Sequence, residues 1–246
     1  MISRNKLREL SVYKQSKACD ADNVFVVEGV KLCEEALVSK AVIKVICGSE
    51  KWFFEHPNVP VNAECYTLNT ADLERLSSMR TPNEVWMLVE RLDILASTNN
   101  NGLILALDHL QDPGNLGTII RTADWYGIRH IVCSPDTVSC YNPKVVQATM
   151  GGIFRTRIDY LPLEQWLASC GMPIYGALLD GQDIRYQKLA TPAVLVIGNE
   201  SRGITANTQQ YVTHRIAIPN IGGTAESLNA SVAAAIIIHD FMTSTN

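Results

Sequence analysis

The 246-residue chain has no apolar run approaching the roughly 20 residues that a helix needs to cross a bilayer. Its opening stretch, MISRNKLRELSVYKQSK, is charged and lacks the apolar core of a signal peptide, so a cytoplasmic protein is expected. Seven cysteines (19, 33, 47, 65, 133, 140 and 170) form no CxxC pair, and five histidines form no HExxH or Cys/His cluster. That pattern argues for reduced thiols, against a disulfide framework, and for no metal site. There is no basic excess either: 25 acidic against 21 basic residues leave a net charge of −4. The bulk charge therefore gives no sign of nucleic-acid binding. Finally, neither GxGxxG nor GK[ST] follows any apolar run, which removes the usual signatures of dinucleotide and phosphate sites.

What is present is an alternation of short apolar runs with amphipathic segments. STNNNG, residues 97–102, is rich in turn formers and empty of apolar side chains, and reads as a linker between residues 1–96 and 103–246. In the first part, a helix over about 3–16 precedes strands at 24–29, 41–48, 65–68 and 85–90, with helical pieces between them, so a smaller α/β domain is expected. Residues 1–17 set Arg4, Lys6, Arg8, Lys14 and Lys17 against Glu9 alone. They are either an RNA-phosphate contact or the solvated face of the first helix.

The second part alternates more regularly. LILALD, HIVCS, TRIDY, IYGALL, AVLVIG and RIAIP are strand candidates separated by helices, which implies a mostly parallel sheet covered on both faces. Ligands of such sheets gather at the carboxyl ends of the strands. Three sets of residues sit there. In DPGNLGTIIRTADWYG (112–127), Asn115 stands where a helix cap would, and Arg121 lies off the apolar stripe of the helix. In LVIGNESRG (195–203), Gly198 lets the backbone approach a ligand, and Asn199 and Glu200 bring polar groups to the sheet edge. In IPNIGGTAESLNASVAAAI (218–236), a glycine-bearing loop leads to a helix expected from about Ser227, with Asn229 inside its first turn.

In order, spacing and placement, the three sets resemble the signature motifs of the SpoU/TrmH family of RNA ribose methyltransferases, in the SPOUT superfamily. The likeness spans about 103–242, and the basic start followed by VFVVEGVKLCEEAL is similar to the opening of that family's N-terminal, ribosomal-protein-like substrate domain. The resemblance implies transfer of a methyl group from S-adenosylmethionine to a ribose 2′-hydroxyl. Ribosomal RNA is the expected substrate, with transfer RNA or a non-catalytic RNA-binding protein of the same fold as alternatives. It also implies a deep trefoil knot in the second domain and a homodimer formed through that domain, with no membrane and no metal involved. Carried over residue by residue, Asn115, Arg121, Glu200, Ser227 and Asn229 match catalytic-pocket positions. Ala177, Leu178, Gly198, Asn199, Ile218, Leu228 and Asn229 match cofactor positions, while Arg4, Lys6, Lys14 and Arg121 are expected on RNA. A guanidinium whose pKa exceeds about 12 is a poor base, so Arg121 is read as holding an RNA phosphate. The 2′-hydroxyl proton then goes to phosphate, to water or to Glu200. Two departures from the family pattern bear on the cofactor: the 218–226 loop is one residue longer, and YGALLDGQ is more apolar.

Overall fold

The computed structural model describes residues 2–79, 83–95 and 102–244; the expected linker lies outside them except for Gly102. In chain order the elements are α1 (Arg4–Ser11), α2 (Ser16–Ala21), β1 (Val24–Glu28), α3 (Val30–Val38), β2 (Ile43–Gly48), α4 (Glu50–Glu55), β3 (Glu64–Thr67), α5 (Thr70–Leu76) and β4 (Val85–Glu90). There follow β5 (Leu103–Leu107), α6 (Pro113–Trp125), β6 (His130–Cys133), α7 (Pro143–Ala148), β7 (Arg157–Tyr160), α8 (Leu163–Ser169), β8 (Ile174–Asp183), β9 (Ala193–Ile197), α9 (Ala206–Gln209), β10 (His214–Ala217) and α10 (Ala230–Ser244).

The chain divides into two compact units, 1–93 with 141–154, and 94–140 with 155–246. The sequence assigns all of 103–246 to one domain, whereas the segment 141–154 packs in the first unit, where Val146, Ile153 and Phe154 join Phe25, Val27 and Met87 in one core. The sheet of the first unit runs β1-β4-β2-β3 and is antiparallel except for β2 with β3. Its strands alternate between two apolar faces. Phe25, Val27, Ile46, Met87 and Val89 face α3 and the 141–154 segment. Val24, Val26, Val45, Trp86 and Leu88 face Leu7 and Leu10 of α1 and Leu73 and Leu76 of α5. Burial on both faces explains why VFVVE reads as a continuous apolar run. The helix expected over 3–16 is capped by Ser3, which accepts from the Lys6 amide at 3.1 Å, but it ends at Ser11 and passes through a tight turn, because Gln15 is extended.

The second unit holds a six-stranded sheet, β10-β8-β9-β5-β6-β7, in which every neighbouring pair is parallel. The central strands LILAL and AVLVI are buried throughout. Ile104, Ala106, Val194 and Val196 pack on one face with Leu163 and Leu167 of α8, and α6 and α10 pack against each other. Since all six strands point the same way, the segments that follow β5, β8, β9 and β10 emerge at one edge. There β5 and β9 are neighbours, with Leu107 opposite Ile197, so the loops after Leu107 and Ile197 run side by side. No helix among the described residues is long and apolar enough to cross a membrane.

Candidate functional site

The loop from β5 to α6 is built around Asp112. Its carboxylate accepts from the Asn115 amide at 2.8 Å and caps the helix, and Pro113 occupies the first turn, where a missing N–H costs nothing. Asn115 is therefore not the cap its position suggested. It lies one turn inside, 7% exposed, and its side chain is free to point elsewhere. It donates from Nδ2 to Oε1 of Glu200 at 2.6 Å, joining motifs 85 residues apart.

Glu200 stands on a turn that its own sequence shapes. Gly198 leaves β9 so close to the returning chain that a Cβ there would sit 2.2 Å from the Gly203 carbonyl carbon. Only glycine permits that approach. Asn199 and Gly203 then exchange backbone hydrogen bonds of 3.0 and 2.9 Å. The Asn199 side chain is committed to this scaffold: its Oδ1 accepts from the Ser201 and Arg202 amides and the Ser201 hydroxyl, and its Nδ2 donates to the His109 carbonyl at 2.8 Å. At this position only the backbone is left for a cofactor.

Between Gly176 and Gln182, β8 leaves its partner. Arg215 pairs with Gly176 but the next residue, Ile216, pairs with Gln182, so Ala177–Gly181 form an excursion from the sheet. Gly181 closes it, since a Cβ there would lie 2.5 Å from the backbone of Ile216. Asp180 on the excursion takes both oxygens to the Arg215 guanidinium at 2.7 Å, which holds its carboxyl below the ordinary carboxylate value.

The excursion, the Gly198 turn and the 218–228 loop wall a cavity of about 790 Å³. Its lining includes Ala177, Leu178, Gly198, Glu200, Ile218 and Leu228. The 218–228 loop is organised by Asn220, which accepts from the Gly222 and Gly223 amides at 3.0 and 2.7 Å and donates to the Gly223 carbonyl. Ser227 lines the cavity, exposed. Asn229 is where the structure corrects the expected helix start. The helix begins at Ala230, and Asn229 caps it: Oδ1 accepts from the Ser231 and Val232 amides at 2.9 and 3.3 Å, and from the Ser231 hydroxyl. This residue thus has a structural role that its supposed place inside the first turn had denied it.

The remaining expected residues are less gathered. Arg121 is exposed, outside the cavity lining, and makes no hydrogen bond or ion pair among the described residues. In the first unit Arg4 and Lys14 are exposed, whereas Lys6 is held between Glu9 at 3.0 Å and Glu64 at 3.1 Å. The Glu9 hydrogen bond raises the Lys6 pKa most, so the ammonium keeps its proton and is paired within its own chain. Asp180, Arg215 and Asn220 were missed; ordinary polar residues in apolar or turn-rich stretches carry no signal until the pairing is known. No group of three metal-ligating side chains occurs among the described residues.

Two family models match this chain: the SpoU rRNA methylase family over residues 102–239, and an MRM3-like substrate binding domain over residues 4–86. A 23S rRNA (guanosine(2553)-2′-O)-methyltransferase, RlmP of Bacillus subtilis, is 29% identical over 95% of this chain and 94% of its own. Among solved structures, an RNA methyltransferase assigned to the TrmH family, from Porphyromonas gingivalis, is 35% identical with a TM-score of 0.88 over 98% of both chains. An AdoMet-bound rRNA methyltransferase from Sinorhizobium meliloti is 26% identical, also with a TM-score of 0.88, over 100% of this chain and 97% of that one.

Proposed function

The chain belongs to the SpoU rRNA methylase family, and from that membership and the site we propose that it methylates a ribose 2′-hydroxyl of ribosomal RNA, using S-adenosylmethionine. One observation carries the reading from family to chemistry. The 2.6 Å bond between Asn115 and Glu200 brings the first two motifs to one point, and Glu200 lines the cavity that the third motif walls.

The cavity fits the cofactor. Its volume is within the ~300–1,000 Å³ of small-molecule sites, and apolar walls at Ala177, Leu178, Ile218 and Leu228 suit an adenosine. Glu200 adds negative charge for a cationic sulfonium. When bound, S-adenosylmethionine supplies an electrophilic methyl group. The protein's part is to hold the acceptor ribose in line with it and to manage the hydroxyl proton. Asn115 fixes one oxygen of Glu200 by donating to it, and leaves the other to accept a hydrogen bond from the ribose or to take its proton. Ser227, exposed on the cavity wall, is free to bond the nucleotide.

Arg121 belongs to the RNA, or to the pocket of a second copy. An exposed guanidinium outside the cavity suits a bidentate grip on a phosphate. A homodimer through the second unit fits the exposed apolar side chains of α10, Val232 and Ile236, and the exposed Trp125 of α6. The first unit matches a substrate-binding domain, and Arg4 and Lys14 are exposed cations that it offers to RNA; a trefoil knot in the second domain and a cytoplasmic setting complete the reading. The test is transfer of labelled methyl from S-adenosylmethionine to unmodified ribosomal and transfer RNA. Label confined to ribosomal RNA is expected. Label in transfer RNA alone overturns the substrate, and label in neither overturns the activity.

A further inference from the structure

His109 stands just beyond β5, beside the Gly198 turn, and the methyl-transfer reading gives it no part. Its φ is +56°, the left-handed region that a side chain other than glycine enters at a cost. Three sets of contacts hold it there. Nδ1 meets Oδ1 of Asp108 at 2.8 Å, and Asp108 is itself 1% exposed with its other oxygen accepting from the Thr205 amide at 2.8 Å. Nε2 meets Oδ2 of Asp136 at 3.1 Å. The His109 amide donates to the Ser134 hydroxyl at 2.9 Å, and Ser134 in turn bonds Thr137, bracing the loop that carries Asp136. With the backbone in that left-handed region, the direction of the peptide that follows is fixed. That peptide's carbonyl receives Nδ2 of Asn199 at 2.8 Å, and Asn199 organises the turn bearing Glu200.

We infer that His109 is a positioning residue for methyl transfer: its left-handed backbone aims its carbonyl at Asn199 and so sets the turn that presents Glu200 to Asn115. The inference rests on the methyl-transfer reading of the cavity. Strained backbone is retained where surrounding contacts over-determine it, and here they converge on a turn of the candidate site. The ring does not act on the ribose; the left-handed backbone is what the site needs, and glycine can adopt it without the ring.

Two substitutions separate the backbone from the ring. Both His109→Gly and His109→Val remove the imidazole, but only glycine adopts positive φ freely, while a β-branched residue strongly disfavours it. In single-turnover methyl transfer, His109→Gly is expected to stay within about threefold of the unaltered protein, and His109→Val to lose roughly tenfold or more, with cofactor affinity and the KM for RNA little changed in both. Another readout needs no activity: the side-chain amide resonances of Asn199 should keep their shifts in His109→Gly and move in His109→Val. Equal rates in the two variants overturn the inference, whether both are active or both are dead, because the latter case makes the ring, and not the backbone conformation, what the site needs. Unmoved Asn199 resonances in His109→Val overturn it too. If His109→Val does not fold, His109→Ala poses the same conformational question with less bulk. Should the unaltered protein transfer no methyl group, the reading of the cavity fails on its own, while the Asn199 resonances still decide the role of His109.

Discussion

Replacing Asn115 with alanine removes the donor that reaches Glu200 and little else. The helix cap survives, because Asp112 bonds the backbone amide of residue 115 rather than its side chain. A hydrogen bond to a charged group contributes about 1.5–3 kcal/mol, and each ~1.4 kcal/mol is a factor of ten in rate. Glu200 is only half-buried, so water replaces part of the lost interaction and the lower end of that range applies. The expected loss in methyl transfer is therefore about ten- to thirtyfold for Asn115→Ala. Asn115→Asp should lose more, since it sets a carboxylate against a carboxylate. Single-turnover transfer of labelled methyl measures the rate, and calorimetric titration of S-adenosylmethionine checks that the cavity is intact. A rate for Asn115→Ala within twofold of the unaltered protein, with cofactor binding unchanged, would refute the claim that this bond sets the geometry of Glu200.

Arg121→Ala should largely abolish methyl transfer while leaving S-adenosylmethionine affinity within a few-fold; equal loss of both would place Arg121 in the cofactor pocket instead of on RNA. Gly198→Ala should cost at least about 2 kcal/mol in thermal or denaturant unfolding, because the new Cβ meets backbone that no side-chain movement relieves. The Arg215 guanidinium depresses the Asp180 pKa, so the pair's contribution is present above the ordinary carboxylate value and is lost as pH falls through the depressed one. Cofactor affinity should therefore be flat across neutral pH, and Asp180→Asn should lower it several-fold by freeing the excursion, as read by equilibrium titration.

The central strands of the second unit were legible because they are buried on both faces, which is why LILAL and AVLVI read as continuous apolar runs. The first two motifs were legible for the same reason, since each follows one of those runs, whereas the third follows β10, a largely exposed edge strand. What the sequence could not show was how residues at the carboxyl edge divide their bonds. Asn115 and Asn229 exchanged expected roles: Asn115, placed like a cap, reaches Glu200 instead, while Asn229, expected to be free of structural duty, caps α10. Both outcomes depend on where a helix begins to within three residues, which local propensity does not resolve. The excursion at 177–181 was hidden because YGALL reads as uninterrupted strand, and only the register against β10 reveals the break. Lys6 was read as an RNA contact from charge, and its ion pair with Glu64, which is distant in sequence and arrives on β3, could not be read there. The segment 141–154 packs with the first unit through Val146, Ile153 and Phe154, apolar residues that suit either core equally well.

The chemical identity of the methylated product tests the account most directly. Ribosomal RNA labelled by the protein should be hydrolysed in alkali and the products separated. A 2′-O-methyl group blocks cleavage at its own phosphodiester, so the account predicts label in an alkali-resistant dinucleotide that yields a 2′-O-methyl nucleoside on full digestion. Label released with single nucleotides carrying a methylated base would contradict it. The cavity would then still hold the methyl donor, but Asn115 and Glu200 would be presenting a base and not a ribose.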